Sequence, residues 1–167
     1  LKCGENEIPC PYINNKRAKL RAGLSVMIGK GNPTEIIEEA ELKALQKGIS
    51  LTKLEAEQVK QFLVENGLGV DCSGFTYQVL EAESAAREKT KLKKQIRLPA
   101  SLNPLRNLIK KFRHIENTNV EAFADSKNSV EICLSEVKPG DMIVILRSGT
   151  DRMRDHIAVI SKVNHAD

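Results

Sequence analysis

The chain has 167 residues, of which 41% are hydrophobic and 29% charged, the balance of one globular domain. This excludes wholesale disorder and low-complexity repeats, and the longest aliphatic run, Met142–Leu146, is far short of the roughly 20 residues a membrane-crossing helix needs. The formal charge is a mild +4, and with no Trp, four Phe and two Tyr the core is expected to be aliphatic.

Residues 1–31 read as irregular, being interrupted by Gly4, Pro9, Pro11, Gly23, Gly29 and Gly31, with a short helix expected through Lys16–Leu24. Asn32-Pro33-Thr34-Glu35 is a helix start: Asn32 caps, Pro33 suits the first turn, and Glu35 lies three residues after the cap. Ile36, Ile37, Ala40, Ala44 and Leu45 form the stripe of that helix, and Gly48 stops it. Thr52-Lys53-Leu54-Glu55 predicts a second capping box, with Val59, Phe62 and Leu63 as the apolar face and Gly67 as the end. Cys72, Phe75, Thr76, Val79 and Leu80 follow the spacing of a core-facing helix, which puts Cys72 at its N-terminal end, facing inward. The polar stretch beyond Leu80 carries this helix into solvent until Pro99 and Pro104 break it. Leu105, Leu108, Ile109 and Phe112 then support one more short helix.

After residue 117 the pattern changes. Val120–Phe123 and Val130–Leu134 read as short strands, with Cys133 in the core. Lys138-Pro139-Gly140-Asp141 is a turn signal leading into Met142–Leu146, a strand expected to be buried on both faces. Arg147–Arg154 is a hairpin tip and His156–Val163 the next strand. Helices first and strands last indicate an α+β fold.

Charge is distributed unevenly. Between Arg87 and Arg113 there are ten basic residues against the single acid Glu88, whereas acids lead from Glu35 to Glu83. The basic segment reads either as a solvated helix face or as a surface for an anionic polymer. It holds one aromatic, Phe112, and so lacks the stacking platforms common in single-strand binders.

The four cysteines, Cys3, Cys10, Cys72 and Cys133, are too few for a disulfide scaffold, and no two have zinc-knuckle spacing. Cys3 and Cys10 either pair or are ordinary thiols. No secretion pattern is present, and a chain opening on Leu reads as a trimmed sequence, so that absence is silent on location. Of the thiols, Cys72 alone sits at a helix start, where partial positive charge favours thiolate. A neighbouring imidazolium would add to this. His156, opening the apolar strand Ile157-Ala158-Val159-Ile160, is the best partner, because a sheet packed on the Cys72 helix would bring the two starts together. His114 lies in the basic connection with no apolar element to fix it, and His165 adjoins the C-terminus.

Val70-Asp71-Cys72-Ser73-Gly74-Phe75, Pro139-Gly140-Asp141-Met142-Ile143 and Asp155-His156-Ile157-Ala158-Val159-Ile160 occur in that order. Together they resemble the three signatures of the NlpC/P60 cysteine peptidases, and the His strand also resembles that of the related CHAP amidases. The resemblance covers about residues 68–165. It implies a papain-like α+β core over 69–167, in which a nucleophile helix packs on a small antiparallel sheet. A basic helical insertion then falls at about 81–118, and residues 1–68 form an N-terminal helical extension packed on that core. It implies hydrolysis of amide bonds, most often in peptidoglycan stem peptides of the bacterial envelope or outside the cell, and no cofactor or metal. Cys72 would attack the carbonyl and His156 would hold the ion pair and then protonate the leaving amine. Asp71, Ser73 and Gly74 would shape the substrate end of the helix, with Asp71 and Ser73 as caps and Gly74 allowing close approach. Asp141 is expected to shape its turn.

The sequence departs from the family in three places. The third polar residue usually lies about a dozen residues after the His, whereas here the chain stops at Asp167, leaving Asn164 and His165 as local substitutes; His165 is the assignment, unless the residue is missing or supplied differently. The 84 residues from Cys72 to His156 exceed the usual interval, consistent with the insertion. The family's Tyr, in a Pro-Tyr context shortly before the Cys, is found only at Pro11-Tyr12, 60 residues upstream of Cys72; Tyr12 lines the cleft if 13–68 is an insertion. A catalytically silent relative using the same cleft, and a basic adaptor binding an anionic polymer through Arg87–Arg113, are the alternative functions.

Overall fold

The first N–H groups of a helix need acceptors, and Asn32 and Glu35 supply them reciprocally. In the computed structural model, which describes residues 1–13, 24–150, 152 and 154–164, the Asn32 side chain accepts from the Glu35 N–H at 2.9 Å. Glu35 Oε2 accepts from the Asn32 N–H at 2.9 Å. This box opens helix α1, Pro33–Gln46, which ends before Gly48 at φ +66°. Ile36, Ala40 and Ala44 are buried as expected, but Leu45, about 100° round the helix from Ala44 and so off that stripe, is 77% exposed. Helix α2, Ala56–Glu65, buries Val59, Phe62 and Leu63. Its cap is not Thr52: Leu51–Lys53 forms its own 3-10 turn, and the Glu55 N–H donates to Gln58 Oε1 at 3.0 Å. The N-terminus carries a hairpin that the Gly and Pro content concealed, β1 (Lys2–Cys3) paired antiparallel with β2 (Asn6–Glu7). A 3-10 turn spans Ser25–Ile28. The helix expected through Lys16–Leu24 falls almost wholly outside the described residues, and so does His165.

These elements share one aliphatic core in which Cys3, Ile8, Ile36, Val59, Leu63 and Leu68 are buried. It belongs to the first of two compact units, Leu1–Gly74; the second is Phe75–Asp167, and the division falls in the first turn of helix α3, Cys72–Arg87.

In the second unit, the buried positions of α3 are Thr76, Tyr77 and Ser84, while Phe75 is 51% exposed. The expected stripe is thus rotated by about a residue. Hydrophobicity alone misplaces it, because Ser84 hides by donating to the Thr90 carbonyl at 3.1 Å. The helix stops at Arg87, well before Pro99, and Lys89 adopts a left-handed φ of 52°. A 3-10 turn at Leu92–Lys94 follows, then α4 (Pro104–Phe112), α5 (His114–Asn117) and α6 (Val120–Ala124). The last corrects the strand expected at Val120–Phe123. Asn119 accepts from the Ala122 N–H at 3.0 Å and starts a helix there, burying Val120, Ala122 and Phe123. Val130–Leu134 is likewise not a strand, Cys133 is exposed rather than core, and Leu134–Glu136 is a 3-10 turn. All four cysteines are free thiols.

Strands β3 (Met142–Ser148) and β4 (Arg154–Val159) pair antiparallel, with Ile145 opposite His156, and α6 packs against both. The β3 run is not buried on both faces; Ile143, Ile145 and Leu146 are exposed. Asp141 acts within its turn, accepting from the Lys138 N–H at 2.7 Å. Among the described residues there are six α-helices and two small antiparallel sheets, an α+β arrangement, and no helix is long and apolar enough to cross a membrane.

Candidate functional site

Cys72 is the first residue of α3, and three separate stretches of the first unit converge on its turn. The first is local. Asp71 Oδ1 accepts from the Gly74 N–H at 2.6 Å, the geometry of an N-cap, and from the Ser73 hydroxyl at 3.2 Å. The second is the loop Gly29-Lys30-Gly31. The Asp71 N–H donates to the Gly29 carbonyl at 3.0 Å, and a Cβ at Gly74 would overlap that same carbonyl oxygen. Gly74 therefore makes room for protein backbone. The third is the N-terminal segment: Tyr12 forms a parallel bridge with Val70, with Val70 N–H to Pro11 carbonyl at 3.0 Å and Ile13 N–H to Val70 carbonyl at 2.9 Å. Gly69 permits this approach, since a Cβ there would overlap the Pro11 carbonyl oxygen.

The loop delivers a residue that sequence reasoning missed. Lys30 is 5% exposed, its Nζ lies 3.1 Å from Asp71 Oδ1, and it donates to the Ser73 hydroxyl. Burial pushes its pKa below the usual lysine value, opposed by the charge of Asp71, the hydrogen bond to it, and the charge of Cys72. A cation thus sits under the turn that carries the sulfur. The readable signal was a lysine between two glycines, just ahead of a helix start.

The bridge delivers Tyr12. Its phenol pKa is raised, first by lost hydration, then by the charge of Cys72, a hydrogen bond to Cys72, and the charge of Asp71. Tyr12, Lys30, Asp71, Cys72 and Ser73 therefore form one cluster, with Cys72 itself half-buried. The second tyrosine, Tyr77, is pushed up to about 12 by burial and by the charges of Glu81 and Glu116. With two tyrosines and no Trp in the chain, phenolate absorbance should resolve both. Both are expected to ionise above the ordinary 10, and Cys72→Ala should lower the Tyr12 transition alone. An unchanged Tyr12 titration in that variant would refute the contact. Because the raised value keeps Tyr77 neutral in the folded state, the stability it contributes is full below pH 10 and is lost as pH rises through about 12.

The remaining predicted residues belong to the second unit. His156 is exposed on β4, on the face opposite buried Ile157. Asp155, before it, accepts from the Arg147 N–H at 2.8 Å and holds the hairpin tip. His114 is better fixed than the sequence suggested: its Nε2 lies 3.1 Å from the Ile96 carbonyl and its ring centroid 6.2 Å from that of Tyr77. Among the described residues no group of three or more His, Cys, Asp or Glu is placed to hold a metal ion.

Comparisons of this chain with protein-family models, with curated proteins and with solved structures find no match.

Proposed function

We propose that the chain is a cysteine peptidase or amidase of the NlpC/P60 type, with a papain-like core and an amide bond as its target, peptidoglycan stem peptides being the expected source. The observation that carries the reading is the convergence of Lys30, Tyr12 and the α3 N-terminus on Cys72. Each favours negative charge at that point: an ammonium by attraction, a phenol by donating a hydrogen bond, and a helix start by its dipole. In this reading the Cys72 sulfur attacks the scissile carbonyl. The N–H groups of the α3 start and the Tyr12 hydroxyl, neutral as a phenol is well below pH 10, donate to the developing oxyanion. His156 takes the thiol proton and returns it to the leaving amine as the C–N bond breaks, and water then hydrolyses the thioester, releasing the acid and restoring the thiol. Lys30 is a positioning residue that holds Asp71, and with it the cap.

Alkylation rates test the nucleophile. Burial pushes up the thiols of Cys3 and Cys10, and Cys133 is an exposed reference. Iodoacetamide below neutral pH is expected to label Cys72 about tenfold faster than Cys133, and Cys3 and Cys10 more slowly still. Equal rates at all four would refute a catalytic thiol. His156→Ala is expected to slow Cys72 labelling severalfold near neutral pH, and an unchanged rate would remove His156 from the mechanism.

A further inference from the structure

Helix α4 presents an apolar stripe to solvent. Leu105, Leu108, Ile109 and Phe112 recur at i, i+3, i+4 and i+7 on one side, Phe112 is 82% exposed, and no residue of the helix is buried. Arg106 flanks the stripe on one side and Lys111 on the other, while Arg113 pairs with Glu116 at 3.1 Å. The opposite, polar side is tied down. Ser101 N–H donates to Asn107 Oδ1 at 2.7 Å, Asn107 Nδ2 donates to the Ser101 carbonyl at 2.8 Å, and Lys110 Nζ donates to the Pro99 carbonyl at 2.7 Å. Leu102, just before the helix, is fully exposed as well.

We infer that α4 docks this protein on an anionic lipid surface, lying in the interface with its stripe among the acyl chains and its basic flanks at the headgroups. Charge selects this occupant. Helix α4 itself holds three basic residues and no Asp or Glu, so two copies meeting through it would set like charges against each other. A soluble polyanion would neutralise the cations but leave the apolar stripe in water. An anionic bilayer satisfies both. The inference is independent of Cys72, and its readout is binding, not hydrolysis.

The full chain is mixed with phosphatidylcholine vesicles that either contain or lack phosphatidylglycerol, and sedimented. Binding is expected only with the anionic lipid, and to weaken with salt. Leu105→Ser with Phe112→Ser, both at exposed positions, is expected to weaken it at least about tenfold. Arg106→Gln and Lys111→Gln are each expected to weaken it about fivefold. Because the chain has no Trp, Leu108→Trp supplies a fluorophore whose emission should shift to the blue on those vesicles. No binding to anionic vesicles would overturn the inference and leave an acidic protein groove as the occupant. Binding indifferent to the Leu105 and Phe112 replacements would overturn it in favour of a polyanion site. A dimer dissolved by those replacements would overturn it in favour of a second copy.

Discussion

Cys72→Ala is expected to reduce amide hydrolysis by at least about 10³-fold while leaving the urea midpoint nearly unchanged. The two effects separate because the sulfur is half-buried and the aliphatic core of its unit lies elsewhere, among Ile36, Val59, Leu63 and Leu68. Cys72→Ser should be almost as inactive, because a serine hydroxyl in the same place ionises far less readily than a thiol. Hydrolysis retained in the alanine variant, measured on muropeptide or synthetic amide substrates, would eliminate the proposed mechanism.

Asp71→Asn is expected to destabilise the first unit by about 3–5 kcal/mol. Asn keeps an oxygen to accept from the Gly74 N–H, so the cap survives. What is lost is the counter-charge of Lys30, whose side chain is 6% exposed and which has Asp71 at 3.1 Å. A buried cation without its carboxylate is far costlier than a broken surface pair. Adding Lys30→Met removes the stranded charge and should recover most of the loss in urea unfolding. No recovery in the double variant would mean that the penalty lies in the helix start and not in the ion pair.

The sequence revealed where local chemistry suffices. The Asn32–Glu35 box is written in consecutive residues, and α1 begins where it says. Asp71 capping α3 was legible for the same reason. Non-local pairing was not legible. Nothing near Lys30 indicates Asp71 as its partner, and Tyr12 could be assigned to the Cys72 turn only on condition that 13–68 is looped out. Short apolar runs were ambiguous as well. Val120–Phe123 suits either a strand or one helical turn, and the preceding Asn119, by capping, decided for helix. On α3, Thr76 is buried as expected, but Tyr77 and polar Ser84 are buried too while Phe75 is exposed, so the face is rotated. The Pro104 helix was read correctly, but its stripe, which periodicity would send to a core, faces solvent.

Tyr12, Lys30 and Asp71 all precede Cys72 in the chain, and His156 comes long after it. A ribosome therefore delivers the surroundings of the sulfur before its proposed base, and at about 5–20 residues per second the interval lasts several seconds. On the proposed mechanism, vectorial synthesis thus keeps the nascent chain chemically idle until β4 has emerged.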